Sequence, residues 1–319
     1  MLGFQATVRE FVFGIPQRET TFARRGFRAS QDTARKRLEH IGEVFLYGYH
    51  AALSQQDPEA LNVLLGFVER GSCGFAFEGA AMGLSLLDCV LPWKKGRLNR
   101  FLRGPGQAHA YMVHAGAGWA HAKMGHSLRS SMRYVDRFDR LLRWLIVDGY
   151  GFCKGYFDWK EYVAGVKRKS VASDYAGRAF DQGLGRSLWF VEGADVCSIG
   201  KRIASFPEPR RADLWSGVGL ACAYAGGVDR GAVMKLRDVA DTFRPEVAQG
   251  AAFAAKARQR AGNPTDHTEM ACQVLCGIPA GAAARLTDET RESLPEDSTE
   301  PAYEEWRRRI QWKFRQATR

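Results

Sequence analysis

Apolar residues recur every three or four positions along most of the chain, and this period predicts helices rather than strands. No sustained alternation of apolar and polar residues occurs, so we expect no β-sheet. Asp57-Pro58 illustrates a predicted helix start, since an N-capping carboxylate precedes a proline at the first helical position. The pattern predicts an all-α, multi-helix globule with helices over residues 31–54, 57–70, 75–91, 107–124, 128–147, 174–192, 195–205, 210–226, 229–242, 245–261, 267–277 and 301–316.

Two stretches of the chain share an order of landmarks, which are Phe45 and Phe180, Asp57 and Asp195, Glu78-Gly79 and Ser216-Gly217, and Trp119 and Phe253. This order predicts an internal duplication with two pseudo-equivalent halves, superposable over residues 35–125 and 170–262. The predicted organisation is an N-terminal segment over 1–30, a first helical half over 31–150, a second over 151–290, and an acidic connection with a C-terminal amphipathic helix over 291–319.

Glycine is frequent inside several predicted helices, for example in Gly79-Ala-Ala-Met-Gly83. Glycine destabilises a helix interior by about 1 kcal/mol relative to alanine. Close helix packing is the favoured explanation, and room for a ligand is the alternative. The run 148–159 combines five aromatic residues with three glycines, which is not typical of a plain helix. We expect it to join the two halves and to wall a cavity.

The composition is that of a soluble globule, with 45% hydrophobic and 25% charged residues among 319. The net charge of +11 comes with basic clusters such as Arg307-Arg-Arg309. A solvated, arginine-rich surface explains them best; nucleic acid or an anionic membrane is the alternative. An odd count of seven cysteines indicates free thiols in a reducing compartment. With no signal-peptide core and no apolar stretch of membrane-spanning length, a cytoplasmic protein is expected, with peripheral attachment to a membrane through a partner as the alternative.

No strong catalytic motif is present: the chain lacks GxxxxGK[ST], GxSxG, HExxH and DDxxD patterns. His114 and His121 are seven residues apart and face one side of a predicted helix. They suggest a metal pair, an acid–base pair, or two structural histidines held by hydrogen bonds. The sequence assigns no metal ligands and identifies no cofactor.

Glu78 is a carboxylate among small apolar neighbours, where burial would raise its pKa. Arg186 interrupts an apolar and aromatic helix, and it could bridge Asp181 or Gln182 at helical spacing. His50 is a possible partner of Glu78.

We therefore predict an apolar cavity between the halves, lined by Phe77, Trp119, Tyr150 and Trp189. The catalytic candidates that reach into it are Glu78, His114 and Arg186. The predicted ligand-binding residues are His50, Phe77, Trp119, His121, Tyr150, Asp181, Gln182, Trp189, Glu192 and Trp215.

Several long phrases resemble a bacterial family of unknown function, the UnbL-type enediyne biosynthesis proteins. These phrases are FGIP…ETTFARRGF within residues 13–27, FEGAAM from Phe77, VDGYGF from Val147, FDQGLGRSLWFVEG from Phe180, DLWSGVGLACAYAGG from Asp213 and QGAAFAAKAR from Gln249. The resemblance covers nearly the whole chain. It implies a place beside an iterative enediyne polyketide synthase, work on a linear polyene, and partner proteins of the same cassette, one of them membrane-embedded. It carries over no catalytic residue.

The resemblance thus implies a protein that binds a linear polyene or polyketide intermediate and helps to convert it towards the enediyne core. A helical body rich in aromatic and small residues suits such a ligand. The alternative is a non-catalytic carrier or scaffold for the cassette's proteins. A third hypothesis, with less support, is a nucleic-acid-binding protein. Whether the chain is an enzyme is left open; if it is, polyene tailoring or cyclisation is the expected reaction.

We predict only weak, salt-labile binding to nucleic acid, because a net charge of +11 is not accompanied by a groove-reading motif. Fluorescence anisotropy with labelled duplexes of different sequence, followed across a salt titration, measures this. Sequence-specific binding that persists at physiological salt would contradict the prediction.

Overall fold

The computed structural model describes residues 2–29, 31–91, 96–135, 137–165 and 174–317. These residues form α-helices and short 3₁₀ and π turns without any β-strand, which confirms the all-α prediction. The helices are α1 Leu2–Phe13, α2 Phe22–Arg25, α3 Asp32–Ser54, α4 Pro58–Leu65, α5 Cys73–Val90, α6 Arg97–Arg103, α7 Ala110–Lys123, α8 Leu128–Val135, α9 Trp144–Phe157, α10 Tyr175–Val191, α11 Val196–Ala204, α12 Glu208–Ala225, α13 Arg230–Ala240, α14 Arg244–Ala261, α15 Asp266–Leu275, α16 Ala280–Glu289 and α17 Ala302–Ala317.

Seven long helices form a continuous row in which each packs against the next: α3, α5, α7, α9, α10, α12 and α14. The row curves back on itself, since Tyr224 of α12 packs edge-to-face on Phe75 of α5 with ring centroids 5.2 Å apart. Arg258 of α14 likewise donates to the carbonyl oxygen of Gly71, just before α5. Six of these core helices thereby surround a central space.

Glycine pairs bring the core helices into backbone contact. In α12, a Cβ at Gly217 would lie 2.0 Å from the carbonyl oxygen of Gln182 in the preceding core helix, and one at Gly219 would lie 2.1 Å from that of Val247 in the following one. The pairs at 116/118, 149/151 and 183/185 make the same two-sided contact, and consecutive pairs start 33 or 34 residues apart. The glycine contacts therefore repeat from each core helix to the next. The structure does not confirm two equivalent halves.

The segment between residues 128 and 159 differs from the predicted helices. The predicted helix 128–147 is divided into α8 and α9, because the Asp139 carboxylate accepts from the backbone N–H groups of Leu141 and Leu142 and begins a new turn there. Most of the run 148–159, whose composition is not typical of a plain helix and which is predicted to join the two halves, lies inside α9. The predicted boundary between residues 150 and 151 falls in the middle of this helix.

Helix α17 docks on the body through Trp306, Ile310 and Phe314, all of which are buried. Arg307, which the sequence placed in a solvated basic cluster, is also fully buried. Its guanidinium binds the carboxylates of Asp213 at 2.7 Å and Glu304 at 3.1 Å. The docking of this helix therefore combines apolar burial with a buried ion network.

One described helix, Cys73–Val90, is long and apolar enough to cross a membrane, yet 78% of that window is buried inside the protein. Its place in the helix row, packed between α3 and α7, explains its hydrophobicity without a membrane, since core helices of soluble proteins have the same composition.

We predict that Gly217→Ala lowers the free energy of unfolding by about 1–3 kcal/mol or more, because the added Cβ would overlap the Gln182 carbonyl oxygen. Gly281→Ala is the matched control, since it lies on the exposed first turn of α16 and its Cβ would meet no atom closer than 3.7 Å. The control should be neutral or stabilising by up to about 1 kcal/mol. Urea denaturation measures both, and equal stability of the two variants would contradict the packing role.

Candidate functional site

A narrow cavity lies inside the curved helix row, and the space in it that the centres of water-sized molecules can occupy is about 60 Å³. Its walls are mainly apolar and aromatic, and they come from α3, α5, α7, α9, α10 and α12 together with the segment that precedes α3. The lining residues are Ile15, Glu19, Thr20, Ile41, Gly42, Phe45, Leu46, Phe75, Glu78, Trp119, Phe152, Tyr156, Phe157, Arg186, Phe190, Leu220, Ala221, Tyr224 and Ala225.

Trp119 is the centre of the aromatic wall. Its ring centroid lies 4.6 Å from that of Phe45 and 4.8 Å from that of Phe152. Phe190 extends the wall, with a centroid 5.4 Å from Phe152 and 6.0 Å from Tyr156. The helices can supply large rings at this level because glycines, rather than side chains, occupy their crossing points.

Glu78 and Arg186 are the charged groups at the inner wall. The Glu78 Oε1 atom accepts from Trp119 Nε1 at 3.2 Å and from Arg186 at 3.3 Å. A second nitrogen of Arg186 binds Asp148, which in turn accepts from Gln182 Nε2 at 2.8 Å. The guanidinium also lies 4.9 Å from the centroid of the Phe152 ring. One guanidinium is thus shared by two carboxylates from two other helices.

Burial raises the pKa of Glu78 above its ordinary value; Arg186 acts in the opposite direction, and the charge of Asp148 adds to the increase. Burial disfavours the charged form of Arg186, but Asp148 and Glu78 outweigh this and raise its pKa, so the guanidinium stays charged. The cluster can therefore hold a proton on Glu78 while Asp148 neutralises Arg186. A buried carboxyl group of this kind can act as a general acid or base.

The segment 14–27 covers one side of the cavity and contributes Ile15, Glu19 and Thr20 to its lining. His50 holds this cover, since its Nε2 atom accepts from the Ile15 N–H at 3.2 Å. Arg25 fastens the other end by donating to the Phe157 carbonyl oxygen at 2.6 Å and by lying 4.7 Å above the Phe157 ring. The cover is therefore attached to both α3 and α9.

Among the predicted site residues, the structure brings Glu78, Trp119 and Arg186 together in the cavity. Arg186 pairs with Asp148 and Glu78 rather than with Asp181 or Gln182. Glu78 bonds to Arg186 and Trp119, whereas its suggested partner, His50, contacts the cover instead.

The remaining predicted residues lie outside the cavity lining and have structural partners. Phe77 stacks on His109, and the His114 Nδ1 donates to the Ala110 carbonyl oxygen. The Tyr150 hydroxyl and the Trp189 indole donate to the carbonyl oxygens of His126 and Gly226, respectively. Asp181 pairs with Arg210, and Glu192 pairs with Arg202. The Gln182 amide donates to Asp148. Trp215 is buried in α12, and His121 contacts His126.

Asp148, which is 1% exposed, was not identified from the sequence. With Glu78 and Arg186 it forms the charge cluster of the cavity wall. Also missed were the aromatic lining residues Phe45, Tyr156 and Phe190. A signal was present for Asp148, since an acidic residue stands alone in the apolar run from Trp144 to Phe152.

A second group of polar side chains lies outside the cavity. Cys89, His121 and His126 form a three-residue cluster of potential metal ligands among the described residues. Burial lowers the pKa of His121 to about 4, so its imidazole is neutral at pH 7. His114, the other predicted member of a histidine pair, is not part of this cluster.

A family model described as "Protein of unknown function (DUF1702)" matches residues 4–314 of the chain. No curated protein and no solved structure matches. The match includes the cover, every core helix and the charge cluster.

We predict that Glu78→Gln changes how stability depends on pH. The folded-state pKa of Glu78 is raised, so its contribution is fully present below the unfolded-state value of about 4.3 and is lost as pH rises through the folded-state value. The wild type should therefore lose stability relative to Glu78→Gln as pH increases above about 4. Urea denaturation of both proteins across this range measures the difference, and a difference that does not vary with pH would contradict the raised pKa.

Proposed function

The chain belongs to the DUF1702 family, and we propose that it binds an extended, apolar, unsaturated chain in the central cavity and converts it by proton transfer from Glu78. The observation that carries this proposal is the direct contact of a buried glutamate–arginine pair with a narrow aromatic cavity. A core that needed only apolar packing would place an apolar residue there, because burying the charged form of a carboxyl group costs free energy.

The walls define the class of ligand. Aromatic rings from six helices favour a flat, conjugated chain through dispersion and apolar burial, at about 25 cal/mol per Å² removed from water. The narrow shape favours a linear molecule over a compact one. A linear polyene satisfies both conditions.

The charge cluster defines the chemistry. Transfer of the Glu78 proton to a conjugated chain would form a new C–H bond and a delocalised cation on the chain. The Glu78 carboxylate left behind would be stabilised by Arg186 and by the Trp119 indole N–H. The rings of Trp119 and Phe152 would stabilise the cation through their π faces. Return of a proton from another carbon to Glu78 completes an isomerisation or cyclisation that needs no oxidant.

We place this reaction in enediyne or related polyketide biosynthesis because the phrases that resemble UnbL-type proteins coincide with the cavity. The FGIP…ETTFARRGF phrase forms the cover, and FEGAAM contains Glu78. VDGYGF contains Asp148 and Phe152, and FDQGLGRSLWFVEG contains Arg186 and Phe190. The substrate would be the linear polyene of an iterative polyketide synthase, received or passed on by partner proteins of the same cassette at the cytoplasmic side of a membrane.

A carrier for the same polyene is the competing function. A carrier needs the apolar walls but has no use for a protonated carboxyl group inside them. The two functions therefore differ in what Glu78 does after the ligand has bound.

We predict that Glu78→Gln lowers polyene turnover by about 100-fold or more, the usual contribution of a general acid, while it changes polyene affinity by only a few-fold. Turnover by the purified protein, alone and with its cassette partners, is followed by polyene absorbance. Affinity is followed by tryptophan fluorescence quenching, with Trp119→Phe identifying the signal from the cavity.

Glu192→Gln is the matched control, because Glu192 is equally buried but pairs with Arg202 and Arg28 away from the cavity. It should leave turnover and binding unchanged. Binding without turnover in every combination of partners would favour the carrier. Absence of polyene binding by a folded protein would contradict both functions.

A further inference from the structure

Three metal-ligating side chains meet where α5 and α7 end. Cys89 lies in the last turn of α5, His121 in the last turn of α7, and His126 in the loop that follows α7. Their potential ligand atoms all lie within 4.8 Å of one another. A thiolate with two imidazoles is a donor set that zinc-type ions prefer. The fold assembles this set, since Cys89 is far in sequence from the two histidines.

The distance between the two imidazoles fits a shared metal ion. The Nδ1 atoms of His121 and His126 are 3.2 Å apart. Two nitrogen ligands of a tetrahedral zinc ion, each bound at 2.0–2.1 Å, would be about 3.3 Å apart. A single N–H···N hydrogen bond gives a similar distance and is the competing explanation.

The hydrogen bond alone satisfies His121 poorly. This ring is only 3% exposed, and its Nε2 atom has no hydrogen-bond partner among the described residues. Among the described residues, the contact with His126 at Nδ1 is therefore the hydrogen bond that the structure gives this buried imidazole. A metal ion at Nδ1 would replace this contact by a stronger bond, and it would fix the proton of the neutral ring on Nε2.

We propose that Cys89, His121 and His126 bind a zinc-type divalent metal ion, with the fourth coordination position open to solvent. The cluster lines a surface depression together with polar residues that include Asn99, Ser130 and Arg133. Asp88 is also close, but its carboxylate accepts from the backbone N–H groups of Arg97 and Leu98. Three protein ligands and one exchangeable water are therefore the expected coordination.

The metal site is separate from the cavity and does not depend on the proposed function. Trp119 and His121 are two residues apart in α7, so their side chains point about 200° apart around the helix. The ion would therefore lie behind the Trp119 wall, where it would tie the end of α5, the helix of Glu78, to the end of α7. Its expected effect is to stabilise this wall of the cavity.

Cobalt(II) substitution tests the proposal without any polyene. The metal-stripped, full-length protein is titrated with Co²⁺, and the visible spectrum and the thermal midpoint are recorded. We expect one ion per chain, the intense absorption of tetrahedral cobalt, and a sulfur-to-cobalt charge-transfer band. Zn²⁺ should displace the cobalt and raise the thermal midpoint.

Cys89→Ser should abolish the charge-transfer band, and His126→Gln should weaken cobalt binding by 10-fold or more. The controls are Cys197→Ser and His40→Gln, which remove an exposed thiol and an exposed imidazole elsewhere. Both should leave the spectrum and the metal-dependent thermal shift unchanged.

An octahedral cobalt spectrum, or binding that Cys89→Ser and His126→Gln leave unchanged, would overturn the proposal. Absence of binding at stoichiometric concentration would show that the two histidines share only a hydrogen bond. His126→Gln provides a second test if Cys89→Ser fails to fold, since His126 is only partly buried in a loop.

Discussion

Backbone-to-backbone contact between the core helices is the constraint on which the rest of the structure depends. Glycine pairs two residues apart let each of four successive core helices touch both of its neighbours at one level. A side chain at any of these positions would separate two helices and widen the row. The close approach also fixes the polar cluster, because the Gly183 contact sets α10, which carries Arg186, directly against the Asp148 carbonyl in α9.

Buried arginines connect the elements that the glycines bring together. Arg186 joins α10 to α9 and α5, and Arg307 joins α17 to α12. Each guanidinium is shared by two buried carboxylates. A buried ion pair stabilises a fold little by itself, but removal of one partner leaves an uncompensated charge. These networks therefore specify which helices meet, and the Arg186 network also places the Glu78 carboxyl group at the cavity wall.

The sequence was informative where a signal is local. Helical period and capping residues predicted most helices, and the lone carboxylate at Glu78 and the lone guanidinium at Arg186 identified two residues of the charge cluster. The contact between them was not predictable, since 108 residues separate them and each had plausible partners nearby. Asp148 was missed because its glycine-rich surroundings suggested a break in a helix. Those glycines are instead required where two helices cross, and nothing in the local sequence distinguishes such a crossing from a turn.

The apparent duplication has the same origin. Landmarks such as Gly79 and Gly217 do occupy comparable crossing points, but so do the glycines of the helices between them. The two stretches resemble each other because both contain a shorter repeat, which is the glycine contact between each core helix and the next.

The direction of the core helices has an electrostatic consequence for the cavity. Four of the helices that line it, α7, α9, α10 and α12, contribute residues from their C-terminal halves, from Trp119 to Ala225. The carbonyl groups at a helix C-terminus carry about half a negative elementary charge. Arginines bind several of them here, Arg25 at the end of α9 and Arg37 and Arg258 at the end of α12. The negative helix ends and the guanidinium groups thus offset one another around the cavity, so the scaffold favours an uncharged occupant over an ion of either sign.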